Sequence, residues 1–249
     1  MPGNFDAIGI EYRFASCGES ALAVVFGEGI DPIISRRVMA LTQSLQDAPL
    51  PDVVEVVPTY GSLLVMFDVE RVDGTMIVAA LRERLATCAQ LEHQQPLVTV
   101  PVMYEGEACL DLEALAKAKD LTVEAVIALH LEPEYRVYMI GFAPGLAYLG
   151  GLPEALHTPR KPAPRQRVPE GAIGIGGAQG SINSVPGPSA WHFIGQTPLR
   201  LFEPRRAQPF LLTAGARVRF RRIDREEFAT LRATAEAEGE NYITEAERT

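Results

Sequence analysis

Residues 157–169 hold the densest chemistry in the chain: His157-Thr158-Pro159-Arg160-Lys161-Pro162-Ala163-Pro164-Arg165-Gln166-Arg167-Val168-Pro169 carries four cations and no carboxylate. Across the whole 249 residues the net charge is −9, so this run reverses the local sign. Guanidinium forks and an ammonium held together suit carboxylates, phosphates or an oxygen on which negative charge develops. Arg160, Lys161, Arg165 and Arg167 are therefore the anion-handling candidates. The competing reading is a solvated surface loop.

Further candidates flank the run. Gln179 follows Gly176-Gly177-Ala178, glycines that leave a backbone open to close approach, and its amide could orient a carbonyl or carboxylate. Gly177 would sit against the ligand itself. Tyr138 and Tyr148 could donate hydroxyls to the same pocket, or serve as core residues with a satisfied tip. His130 titrates near neutrality and could be a general base, but it also falls in the last turn of an expected helix, where a cation complements the dipole. Gly141, Pro144 and Gly145 read as supports of a site loop, and Trp191, the only tryptophan, as barrel core.

Several motifs fail. Gly174-Ile175-Gly176-Gly177-Ala178-Gln179 places Gln179 at the third glycine of a dinucleotide fingerprint, and no helix pattern follows. No G-x-x-x-x-G-K-[ST] or G-x-S-x-G is present, so nucleotide binding would need another cradle. His93, His130, His157 and His192 lack metal-ligand spacing. Cys17, Cys88 and Cys109 are too few and too scattered for a disulfide framework, which suits a reducing compartment. The start of the chain lacks a signal-peptide pattern, and no stretch approaches the ~20 apolar residues of a spanning helix. An acidic, 47% hydrophobic chain argues for a cytoplasmic globular protein and against nucleic-acid or membrane binding.

The elements that must position these residues fall into two groups. Strands are expected at Ile10–Phe14, Ala21–Phe26, Val53–Val57 and Ser62–Phe67. Asp31 with Pro32 should open one helix, whose stripe is Ile34, Val38, Leu41 and Leu45; Thr75 should open another, with Ile77, Leu81, Leu85 and Cys88. This β-β-α-β-β-α order gives a sheet with helices on one side. After a boundary at Gln94-Gln95-Pro96, Leu97–Tyr104 reads as a strand. Short helices follow, capped by Asp111 and Thr122. Strands at Tyr135–Ile140, Ala172–Ile175, Trp191–Ile194, Leu199–Phe202, Phe210–Thr213 and Arg217–Ile223 fit a nearly closed β-structure. The expected class is α+β, with an α/β domain over 1–95, a barrel over 96–224 and a charged helix and tail over 225–249.

The motifs also carry a family resemblance. Glu134-Tyr135-Arg136-Val137-Tyr138-Met139-Ile140-Gly141-Phe142-Ala143-Pro144-Gly145-Leu146-Ala147-Tyr148-Leu149-Gly150-Gly151-Leu152 is similar to E-Y-R-V-Y-M-x-G-F-x-P-G-F-x-Y-L-G-G-L. Thr158-Pro159-Arg160, Pro164-Arg165-Gln166-Arg167-Val168-Pro169, Gly176-Gly177-Ala178-Gln179 and Ile194-Gly195-Gln196-Thr197-Pro198 follow in the matching order. This pattern resembles the family of the B-type subunit of bacterial 5-oxoprolinase, also called the first subunit of allophanate hydrolase, which includes an inhibitor of a sporulation histidine kinase. The resemblance implies a cyclophilin-like barrel, partner subunits of the C and A types, and ATP-dependent opening of 5-oxoproline to glutamate, with Mg expected alongside the nucleotide. No biotin or metal is expected on this chain alone, and the isolated chain is expected to be inactive. The alternatives are a regulator that docks a histidine kinase and a divergent hydrolase of a related amide such as allophanate; a prolyl isomerase ranks below both. The sequence departs from the family's G-G-x-Q-T-G-I-Y-P-x-x-S-P-G-G-W at Gly180, Ser181, Asn183, Ser184, Gly187, Ser189 and Ala190, and it also loses glycines between Tyr104 and Asp111.

Overall fold

A computed structural model describes residues 4–88 and 96–238. The expected boundary pair Gln94-Gln95, His93 and the acidic end of the chain beyond residue 238 lie outside the described residues. Contacts divide the chain into two compact units, Met1–Gln94 and Gln95–Thr249.

The first unit has strands β1 (Asn4–Phe5), β2 (Glu11–Ser16) and β3 (Ala21–Val25), helix α1 (Pro32–Asp47), strands β4 (Val53–Pro58) and β5 (Ser62–Phe67), and helix α2 (Gly74–Thr87). Its sheet runs β1-β2-β3-β5-β4, every pairing antiparallel. Alternation along β3 and β5 turns Leu22, Val24, Leu63 and Val65 to one face, where Val38, Leu41 and Leu45 of α1 and Ile77, Leu81 and Leu85 of α2 join them in one core. Asp31 caps α1 as expected, accepting from the Ile33 and Ile34 amides. The start of α2 differs from expectation. Asp73, rather than Thr75, is the cap, and its carboxylate accepts from both the amide and the hydroxyl of Thr75. The unit also buries an ion pair, Arg37 with Asp6, and the same guanidinium donates to the Cys88 and Leu85 carbonyls.

The second unit adds β6 (Leu97–Val102), α3 (Leu112–Ala118), α4 (Val123–Leu131), β7 (Tyr135–Ile140), β8 (Ala147–Gly150), β9 (Arg165–Val168), β10 (Ala172–Gly176), β11 (Gln179–Ile182), β12 (Gly187–Ser189), β13 (His192–Gln196), β14 (Arg217–Arg222) and α5 (Arg225–Glu238). Seven strands form a sheet in the order β13-β10-β11-β8-β7-β14-β6. Just past β6, Met103 exchanges both backbone hydrogen bonds with Gln196 of β13, at 2.8 and 2.9 Å, which brings the two edge strands together. The result is a nearly closed barrel. Its inner rows, including Val98, Val100, Val137, Leu149, Ile173, Ile175, Ile194 and Val218, share one core with Leu115 of α3 and Val126 and Ile127 of α4. Thr122 caps α4 as its sequence indicated.

Two expected strands, Leu199–Phe202 and Phe210–Thr213, are not strands. Leu199, Leu201, Leu211 and Leu212 are buried, but only an isolated bridge at Phe202–Phe210 joins the segments, made by the Leu211-to-Leu201 and Glu203-to-Pro209 backbone bonds. Pro198, Pro204 and Pro209 withdraw backbone donors here, so the apolar run supplies core without a ladder. Conversely β8, β9, β11 and β12 are not among the strands expected from the sequence.

Candidate functional site

The outer face of the barrel carries a second, smaller core. Tyr148 of β8, Ala172 of β10 and Phe193 of β13 point outward there, together with Trp191 just before β13, and Val168 of β9 covers them. Two glycines of β10 explain how an indole fits against a strand. A Cβ at Gly176 would lie 2.5 Å from the Trp191 ring, and one at Gly174 would lie 2.6 Å from the Ser181 hydroxyl and 3.0 Å from Phe193. The glycine alternation read as an opening for ligand is therefore filled largely by Trp191.

Beside this cluster lies a cavity of about 470 Å³. Tyr148, Trp191 and Leu146 wall it, the Pro186–Ala190 turn and β12 close one side, and Phe142 stands at its mouth. Phe142 has a left-handed backbone at φ 65° and is 76% exposed, an unusual combination for a bulky residue. Gly145 supports that loop at φ 77°, where a Cβ would lie 2.9 Å from Phe202 and 3.1 Å from the Leu201 carbonyl. Ser181 and Asn183 line the cavity although 3% and 5% exposed. Arg160 reaches across it, its guanidinium 5.3 Å from the centre of the Trp191 ring. Ser181, Asn183, Gly187, Ser189 and Ala190, all positions where the sequence leaves the family pattern, contribute to this wall.

The basic run divides in a way its composition did not show. Lys161 and Arg165 both bind the carboxylate of Asp111, at 2.8 and 2.7 Å, and the Phe193 amide donates to it at 2.9 Å. Burial alone would raise the Asp111 pKa, but Arg165, Lys161 and the Phe193 amide outweigh it and hold the carboxyl below the ordinary range. Asp111 thus occupies the cap position of α3 without capping it. Its charge instead fastens the 157–165 loop to β13. Arg165, expected to act on substrate, is a clamp residue whose other contact is the Trp191 carbonyl at 3.4 Å. Asp111 was missed because an aspartate before a helix reads first as a cap, and a charge partner fifty residues away leaves no local trace.

The other candidates separate as well. Arg167 is exposed on β9. Gly177 spends both backbone groups on Thr158, at 2.7 and 3.0 Å, so its amide is not offered to a ligand. Gln179 closes the β10–β11 hairpin opposite Gly176 and lies outside the cavity wall. Tyr138 is buried with its ring over Gly150 and is also outside it. Tyr148 does line the cavity, and burial raises its pKa despite the opposing effect of Arg160, so it remains a neutral donor near pH 7. His130 is fully buried in the barrel core, stacked on Phe220 at 4.5 Å and hydrogen-bonded to the Tyr104 hydroxyl at 2.7 Å through Nδ1. Burial lowers its pKa to about 3, so it is neither a base for this site nor a cation at a helix end. Among the described residues no group of three or more His, Cys, Asp or Glu side chains could hold a metal, and no helix is long and apolar enough to cross a membrane.

Similarity to known proteins extends over most of the chain. Residues 12–212 match the model of the carboxyltransferase domain, subdomains C and D. The chain is 36% identical over 230 residues to the B-type subunit of 5-oxoprolinase from Bacillus subtilis, covering 88% of this chain and 96% of that protein. It is 44% identical over 185 residues to the B-type subunit of 5-oxoprolinase from Haemophilus influenzae, covering 74% and 85% respectively. Among solved structures, TTHA0988 superposes with a TM-score of 0.74 at 38% identity over 82% of this chain, which spans 40% of that longer one. The K. lactis urea amidolyase superposes at 0.73 over 96% of this chain and 16% of its own, at 17% identity, a likeness of fold.

Proposed function

The chain belongs to the family of carboxyltransferase domains, subdomains C and D, and from that premise we propose that it is the B-type subunit of an ATP-dependent 5-oxoprolinase, which opens the lactam of 5-oxoproline to glutamate. The observation that carries the proposal is the near end-to-end match to subunits of that name. Opening a lactam needs a nucleophilic water, a base to take its proton and donors for the oxygen on which charge develops. The cavity supplies donors from Tyr148, Ser181, Asn183 and Arg160. Its lining includes no carboxylate, histidine, lysine or cysteine. A base is therefore not among the residues lining this cavity, which supports a site completed by partner subunits of the C and A types and an isolated chain that does not turn over.

ATP, with its magnesium, enters this reading as a co-substrate of the complex. The residues here do not fit a triphosphate: among the described residues Arg160 is the one cation lining the cavity, and Lys161 and Arg165 are both engaged by Asp111, whose single charge offsets one of the two. No step is assigned to the nucleotide on this chain. Co-expression with the partner subunits and assay of 5-oxoproline-dependent ATP hydrolysis tests the proposal. Stoichiometric glutamate and phosphate release supports it, and a stably assembled complex without turnover overturns it.

A further inference from the structure

The cavity beside Trp191 has a composition that selects a ligand class. Its walls are largely apolar, with Tyr148, Trp191 and Leu146 among them, and at about 470 Å³ it has more than enough room for a small ring. At its base Ser181 and Asn183 are more than nine-tenths buried, on alternate positions of β11 and its continuation, so both face the same side. The backbone of Asn183 is fully occupied, its amide donating to Ala172 and its carbonyl accepting from Gly171. The side-chain amide is therefore available to the cavity, and among the described residues no hydrogen bond engages it. A primary amide largely withdrawn from water is best matched by a partner that both donates and accepts, as another amide does. At the rim, Arg160 lies over the indole, and among the described residues no carboxylate pairs with it, in contrast to Lys161 and Arg165.

From this juxtaposition we propose that the cavity is a binding site for a small cyclic amide bearing one carboxylate. Asn183 and Ser181 read the ring amide, the ring lies between Tyr148 and Trp191, and Arg160 takes the carboxylate. The ligand class rests on the functional reading above, whereas the residue assignments rest on the cavity. Recognition, on this inference, resides in this chain without its partners.

The single tryptophan lines the cavity and reports its occupation. Titration of the isolated, full-length protein with 5-oxoproline should give a saturable change in Trp191 emission, with the affinity checked by calorimetry. Proline, which lacks the lactam carbonyl, and 2-pyrrolidone, which lacks the carboxylate, should each bind at least about tenfold more weakly, the loss expected when one buried polar contact goes unmade. Arg160→Gln should abolish the preference for 5-oxoproline over 2-pyrrolidone. Asn183→Ala should weaken both ligands by at least about tenfold. Arg160 is exposed, so that variant decides the question even if Asn183→Ala does not fold. A non-saturating response, or wild-type affinity and selectivity in Arg160→Gln, overturns the inference. A complex that turns over while this chain in isolation binds nothing sinks this inference and leaves the functional reading standing; saturable, selective binding without turnover by the complex does the reverse.

Discussion

Asp111 and His130 show how differently two buried titratable groups behave. Asp111 is 3% exposed and gains two cations and an amide, so its folded pKa lies below the unfolded value of ~3.9. The stability it contributes is present above that value and is lost as pH falls through the depressed folded pKa. Asp111→Asn removes the charge but keeps the shape. It should cost ~2 kcal/mol in urea denaturation, less than the ~3–5 kcal/mol of a fully buried pair, because Lys161 and Arg165 remain 27% and 29% exposed. His130 is buried neutral with a pKa of about 3, below the unfolded ~6.5. Between those values the unfolded chain binds a proton that the folded chain does not, so stability falls as pH drops from ~6.5 toward about 3. The thermal midpoint should therefore decline from about pH 7 to about pH 5, and His130→Phe, though less stable at neutral pH, should flatten that slope. An unchanged slope in the variant would remove His130 as the cause.

At the scale of elements, β10 is the strand on which the site depends. Gly174 and Gly176 on its outer face leave room for Trp191, and Gly176→Ala puts a methyl 2.5 Å from that ring. The variant should fold with its barrel intact by far-ultraviolet circular dichroism, show a displaced Trp191 emission and lose ~1–3 kcal/mol through overpacking. Emission identical to wild type would contradict the packing described. Much of this level was legible in the sequence. The Asp31-Pro32 start, the apolar stripes of both early helices and the strand at 135–140 follow from local capping and periodicity. What was not legible depended on distance. Nothing near Arg165 or Lys161 announces Asp111, and nothing near Gly177 announces Thr158 as its partner. Tyr138 and Gln179 belong to the motif, but neither lines the cavity: the Tyr138 ring lies over Gly150, and Gln179 sits at the hairpin end of β11. Asn183 and Ser181 were noticed only as departures from a pattern, and the cavity gives that departure a chemical meaning.

For the molecule as a whole, the central claim is that this chain recognises a substrate it does not hydrolyse alone. The barrel presents an apolar cavity with polar readers and a cation at its rim, yet no base. The family match supplies the reaction class and the need for partners. The most direct test reconstitutes the complex with its C-type and A-type subunits and follows 5-oxoproline-dependent ATP hydrolysis with wild-type and Arg160→Gln chains. The account predicts glutamate-forming turnover with the wild type, none from the isolated chain, and a KM for 5-oxoproline raised at least about tenfold in the variant, whose assembly is unaltered. Turnover by the chain alone, or an Arg160→Gln complex with wild-type KM, would contradict it.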